Sequence, residues 1–501
     1  MQINFGLNSF RLSKGVNEPV TWDSSQAVNP HMLIMGMTGS GKTHKLRKVI
    51  NNLSHQAIES GLQDFKVHVF DVHGDIRGVH ESVVNYSESA GFGINPLTLS
   101  PDPDHGGVRK RINSFLNTLQ TSTAKMGVRQ EAVATSLFED LYAYYGFRKD
   151  DYRTWDLNTQ ADNADGMLFL DVPYEERSNA KKYGAKWNPA QKSWYIEAIN
   201  YQGEIEQYPV KDLGAQTLRR YPTLDDASKF FYAKMEEAFI GIGREGALAL
   251  KAFHKATSKY NTLLAKSHYG DTNGNVRLTT DEQEKIEKAA KNVRTTLEDY
   301  LANNGTEKTL KEAILYSSLD TLTSINQRIN NLIASGVFRD NPPPLDPMAP
   351  VHRHALRALS HEEQKMFVLF SLERIFEDAL QKGETRNIRD VVVVDEASKF
   401  FDNDPRNPLN VIALEGRKFG ICLICASQAP THFSESFLGS VATKVILGLD
   451  EMYWESSRRK LNIDADRMKW VTPQKEMLVQ IKQNGVSINP WIGVSIGDGG
   501  K

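Results

Sequence analysis

Four runs of apolar residues stand out from an otherwise mixed chain: HMLIM (31–35), VVVVD (391–395), ICLICA (421–426) and KVILGL (444–449). They are unbroken rather than alternating, as expected of strands covered on both faces in a parallel sheet. KVHVFD (66–71) reads as a further strand. From Thr43 the pattern turns helical, with Leu46, Ile50, Leu53, Ala57 and Ile58 on one face and Gly61 placed to end the helix. Strand, loop, helix, strand is the opening of a parallel α/β sheet. Helical patterning also covers about 107–147, and Ser360 with Glu363 predicts a capping box opening a helix to about residue 382.

Breaks in this pattern divide the chain. Residues 1–30 read as a short, strand-rich lead-in. Polar, turn-rich DLNTQADNADG (156–166) and proline-rich NPPPLDP (341–347) read as boundaries. The expected organisation is an α/β core from 31–155 and 340–501, a small α+β module at 165–200, and an all-α insertion at 224–336. The loop HYGDTNGNVRLTTDE (268–282) interrupts that insertion. No internal repeat is evident.

Charge narrows the functional classes. The 501 residues carry 60 basic and 62 acidic side chains, a net charge of -2. A protein that coats nucleic acid is basic overall, so contact with nucleic acid would come through local patches or a pore built by several subunits. Candidates are Arg109, Lys110 and Arg111, and the module's Lys181, Lys182, Lys186 and Lys192, interleaved with Tyr183, Trp187, Trp194 and Tyr195. Basic residues among aromatics can clamp phosphates and stack bases; in so small a module the same aromatics also serve as core. The two cysteines, Cys422 and Cys425, lie in an apolar strand and read as buried thiols. There is no secretory signal and no apolar run of about 18 residues, so no membrane insertion and a cytoplasmic protein are expected.

GMTGSGKT matches G-x-x-x-x-G-K-[ST] in full, between an apolar strand and an amphipathic helix. In such a P-loop the backbone N–H groups curl round phosphates, the lysine reaches the β/γ-phosphates and the hydroxyl holds Mg²⁺. Gly36, Met37, Thr38, Gly39, Ser40, Gly41, Lys42 and Thr43, with His44 following, therefore read as a nucleotide site, with ATP and Mg²⁺ as ligands. VVVVDEAS delivers Asp395 and Glu396 to a strand end. Asp395 is placed to hold the Mg²⁺, and Glu396 to polarise the attacking water.

Beyond these motifs the chain resembles the HerA/FtsK superfamily of hexameric motor ATPases, and most closely its HerA-like and type IV secretion and conjugation branches. The resemblance rests on FDVHGD (70–75), GINPL (93–97), LEGRKFG (414–420), ICASQAP (424–430) and LGSVATKVILGL (438–449). It implies a RecA-like core and a homo-oligomeric, six-membered ring acting on double-stranded DNA. It implies Gln428 as a sensor of the γ-phosphate and Arg417, beside Lys418, as a finger reaching the neighbouring subunit's ATP. It places Asp71, His73 and Asp75 at the edge of the site. Secretion or conjugation ATPases acting on protein substrates, and an ATP-gated scaffold regulating a partner nuclease in phage defence, stand as alternatives. The module (170–196) resembles a small domain of unknown function fused to DNA-processing proteins of mobile elements, and Lys186, Trp187 and Trp194 are its candidate nucleic-acid contacts.

Overall fold

The computed structural model describes residues 1–62, 64–123, 125–157, 167–188, 193–197, 203–208, 220–240, 244–267, 280–303 and 318–496. Most of the boundary stretch 156–166, Lys192 and the loop 268–279 lie outside the described residues. The chain divides into two units. One comprises 1–124, 142–223 and 335–501, the other 125–141 and 224–334.

The first unit is built on an eleven-stranded sheet. Its strands are β1 (Gln2–Asn8), β2 (Pro19–Asp23), β3 (Met32–Met35), β4 (Lys66–Asp71), β5 (Glu81–Asn85), β9 (Val351–Ala355), β10 (Thr385–Val394), β11 (Phe419–Ser427), β12 (Thr443–Ile446), β13 (Glu476–Ile481) and β14 (Ile492–Ser495). They lie in the order β2-β1-β14-β13-β12-β3-β11-β10-β4-β9-β5. From β12 to β5 every neighbouring pair is parallel, and from β12 to β2 every pair is antiparallel. The continuous apolar runs fall in the parallel part: all of β3 and Val391–Val394 are fully buried. The 1–30 lead-in supplies β1 and β2 to this sheet, and its Ile3, Phe5 and Trp22 join the same core as β3 and β10.

Helix Lys42–Glu59 packs Leu46, Val49, Ile50, Leu53 and Ala57 against the sheet. Ile58, expected on that face, is half exposed. Helix His361–Gln381 opens with the expected capping box: the Ser360 side chain accepts from the Glu363 N–H, and the Glu363 carboxylate from the Ser360 N–H. Among the described residues no helix is long and apolar enough to cross a membrane. This mixed α/β architecture with a largely parallel sheet is that of a RecA-like P-loop core.

A separate three-stranded sheet, β6 (Met167–Leu170), β7 (Lys186–Asn188) and β8 (Ser193–Glu197), runs in the order β6-β8-β7, entirely antiparallel. It has a small core of Leu170, Ala180, Ala185, Ile196, Ile205 and Tyr208. The second unit is helical: Leu224–Ile240, Arg244–Ser267, Thr280–Asn303 and Leu319–Ala334.

Candidate functional site

Parallel strands bring all their C-terminal ends to one edge of the sheet, where ligand sites of open α/β sheets form. Here that edge collects the P-loop after β3, the Asp71–Asp75 turn after β4, Asp395 and Glu396 after β10, and Gln428 after β11. The P-loop is shaped by its glycines. Gly41 caps the helix at φ 94°, a left-handed conformation that favours glycine. A Cβ on Gly36 would lie 2.3 Å from the Ser40 Oγ. Gly36 N donates to the Ser427 carbonyl at 3.1 Å and Met37 N to the Gly448 carbonyl at 2.8 Å, tying the loop to the ends of β11 and β12. Lys42 Nζ donates back to the carbonyls of Gly36 (2.6 Å) and Met37 (3.1 Å). Burial lowers its pKa, and the charges of Asp395 and Glu396 offset this only in part.

Asp71, Asp75 and Asp395 each place a carboxylate oxygen within 4.8 Å of the others. Asp71 is fully buried and already engaged: it accepts from Gly74 N (2.8 Å) and Ile76 N (3.1 Å) and pairs with Arg353 (3.1 Å). It therefore holds the turn. Asp75 faces Thr43, whose Oγ1 lies 3.4 Å from its Oδ2. Asp395 is buried, and burial together with the charge of Glu396 pushes its pKa up to about 6. A hydroxyl and carboxylates converging on one point form a hard, all-oxygen donor set, the kind Mg²⁺ prefers. Asp75, expected only at the site edge, stands among these donors beside Thr43 and Asp395.

Glu396 sits in the left-handed region at φ 47°, ψ 45°, uncommon for a non-glycine residue and characteristic of functional sites. Its carboxylate takes a 2.9 Å contact from His73 Nε2 on one oxygen and an ion pair from Lys399 on the other. Burial alone would raise its pKa, but these two partners hold it below the usual value. His73 thus reaches the site through Glu396. His44 is exposed on the first helical turn.

Sequence reasoning missed two contributors. Gln474, itself at φ 68°, donates from Nε2 to the Gly39 carbonyl at 2.9 Å and so braces the P-loop from a position 435 residues away. Lys399 follows Glu396 by three residues, a spacing that brings side chains together on a helical turn, and this was the one readable signal.

Arg417 and Lys418 lie elsewhere. They are exposed on the short turn Gly416–Lys418 that enters β11, at the end of the strand opposite to Gln428. The nine residues of β11 separate them from the P-loop edge by roughly 30 Å.

The expected basic patch at 109–111 is corrected. Arg111 is buried, 3.1 Å from Glu373 and in bidentate contact with Glu377. An arginine so enclosed is unavailable to nucleic acid. Lys110 donates to the Asp104 carbonyl, and both it and Arg109 are exposed. In the module, Trp194 packs partly against the small core, while Trp187, opposite it across the strands and edge-on at 5.6 Å, is 48% exposed. Lys186 is exposed beside it. Both cysteines are buried free thiols.

Comparison with known proteins agrees with the motifs. Residues 11–138 match the family model of the helicase HerA central domain, and residues 167–209 match a domain of unknown function, DUF5710. No curated protein matches the chain. Among solved structures, VirB4 of Thermoanaerobacter pseudethanolicus aligns with a TM-score of 0.51 at 13% identity, over 98% of this chain and 95% of that one. The plasmid coupling protein TrwB in complex with ADP and Mg²⁺ aligns with a TM-score of 0.46 at 12% identity, over 99% and 94%. The P-loop motifs, the central-domain match and the VirB4-like fold make this chain similar to the HerA-type P-loop ATPases, with a DUF5710 domain set into the core.

Proposed function

We propose that the chain hydrolyses ATP and uses the cycle to move double-stranded DNA, as one member of a homo-oligomeric ring. In this reading the P-loop N–H groups and Lys42 bind the phosphates, and Lys42 exchanges its bonds to the Gly36 and Met37 carbonyls for the β/γ-phosphates. Thr43, Asp75 and Asp395 would hold Mg²⁺, which when bound neutralises charge developing on the transferred phosphoryl group. Glu396, kept ionised and oriented by Lys399 and His73, accepts the proton of the attacking water. Gln428 extends from the strand end that anchors Gly36 and orients that water or contacts the γ-phosphate.

The observation that carries the ring is the placement of Arg417. It stands at the far end of β11 from its own P-loop, exposed and without a bonded partner among the described residues. A cation there serves a neighbouring copy's nucleotide. The test mixes Arg417→Ala subunits with Lys42→Ala subunits, each inactive alone. Recovered ATPase activity in the mixture supports a finger acting in trans; no recovery in rings shown to exchange subunits refutes it. Translocation is tested separately, by ATPase rate with and without duplex DNA.

A second reading keeps the same site and changes the substrate: an ATPase of conjugation or type IV secretion that acts on proteins or on apparatus assembly. The VirB4-like fold favours it. An ATPase indifferent to duplex DNA would select this reading.

A further inference from the structure

Beside the acidic cluster lies a cavity of about 650 Å³, within the range of roughly 300–1,000 Å³ usual for small-ligand sites. Its walls are the Gly74–Arg77 turn, the ends of β5 and β9, and the Arg357–Ala358 segment that follows β9. Three guanidinium groups line it: Arg77, Arg353 and Arg357. The acid on the wall is already committed, because Glu81 pairs with Arg353 at 3.1 Å and accepts from Gly78 N at 2.8 Å. Arg353 is also fixed by Asp71. Arg77 and Arg357, both exposed to the cavity side of the chain's surface, have no hydrogen-bond or ion-pair partner among the described residues. The cavity therefore keeps two guanidinium groups with no carboxylate bonded to them among the described residues, with Asn85 beside them on the lining.

We propose that this cavity binds inorganic phosphate or a terminal phosphate monoester, as a site separate from the P-loop. Planar guanidinium forks match phosphate oxygens in pairs, and two of them suit a dianion better than a single carboxylate. The site has a physical link to the acidic cluster. A Cβ on Gly74 would stand 3.7 Å from the Arg357 Cδ, so the stem of Arg357 lies along the turn whose Gly74 N–H holds Asp71 and which carries Asp75. Under the proposed function this inference goes one step further: phosphate released by hydrolysis has a basic station next to the edge where it forms.

The experiment uses the full chain saturated with a non-hydrolysable ATP analogue, so that the P-loop and its γ-phosphate position are filled. Titration calorimetry with inorganic phosphate should then show one site per chain. The double variant Arg77→Ala, Arg357→Ala should weaken that binding at least about tenfold while leaving analogue binding unchanged. A duplex oligonucleotide without terminal phosphates should not displace the phosphate. Equal phosphate affinity in the double variant, or no phosphate binding once the analogue is bound, overturns the proposal. Displacement by the duplex also overturns it, and assigns the cavity to a phosphodiester backbone. Failure of the analogue to bind the wild-type chain would instead break the P-loop reading, and phosphate binding to that same protein would still report on the cavity.

Discussion

The helix surface around Arg111 and the turn around Arg417 each hold a guanidinium, and they treat it in opposite ways. Around Arg111 two carboxylates close in from helix His361–Gln381, and the side chain is 6% exposed. Around Arg417 no described residue forms a hydrogen bond or ion pair with the side chain. Its charge is felt by His31, fully buried at the foot of β3, whose pKa burial and then the Arg417 charge push down to about 3. His31 stays neutral and accepts from Leu423 N at 3.1 Å. One arginine has its partners inside its own chain. The other, in the proposed reading, is left for a partner outside it. A cation's role is set by where its counter-charge comes from, and predictions can be aimed at that difference.

The largest effect is expected at Arg417. Arg417→Ala should lower the ATPase rate by about 10³–10⁵-fold, the range of an arginine finger. Its melting temperature and nucleotide affinity should match the wild type, because no described residue is bonded to the side chain. A drop in thermal stability of the kind expected for Arg111 would erase the contrast.

Next comes Arg111→Ala, which strands two buried carboxylates. Breaking a buried pair costs about 3–5 kcal/mol, read as a large fall in denaturant midpoint. Duplex binding by whatever protein remains folded should be unchanged.

The same cluster gives a pH dependence. Glu373 and Glu377 share one guanidinium, and burial raises both carboxyls; Glu377 is pushed up to about 7 from its ordinary 4.5, with Arg111 opposing and the charge of Glu373 adding. Between those values the folded chain keeps a proton that the unfolded chain has released. Stability from this group is therefore full below about pH 4.5 and lost as pH rises through 7. Since the two acids titrate as a unit, the loss should be on the order of 1–3 kcal/mol. Glu377→Gln should flatten the stability curve over that window, with little loss at neutral pH.

This contrast also marks what could be read from sequence. The strands of the parallel core were legible because burial on both faces writes an unbroken apolar run, as in Val391–Val394. The P-loop was legible because its backbone demands glycine at fixed places, Gly41 among them. The pair Asp395 and Glu396 was legible as the end of such a run. Arg111 was not, because the acids that claim it lie 262 and 266 residues further on, and local spacing carries no sign of them. Gln474 was hidden for the same reason. In the 1–30 segment β1 shows the alternating burial of a sheet margin, but the strand that joins it to the sheet, β14, begins at Ile492, beyond the reach of any local pattern.

The smallest effect is expected at Arg109, and it decides what is left of the basic run. With Arg111 enclosed, two exposed cations remain on that stretch of helix, Arg109 and Lys110, the second bonded to the Asp104 carbonyl. A single surface guanidinium contributes little to folding, so Arg109→Ala should change stability by no more than about 0.5 kcal/mol. For DNA binding the informative quantity is the dependence on salt, since each phosphate contact contributes close to one unit of slope in log K against log salt. If the run is a solvated helix face, the slope for duplex DNA stays as in the wild type, and that is the expected result. A slope smaller by about one would place Arg109 against a phosphate. It would then join Arg417, in the proposed reading, as a cation whose partner lies outside the chain, and the division between the two regions would run through a single helical turn, from one face to the other.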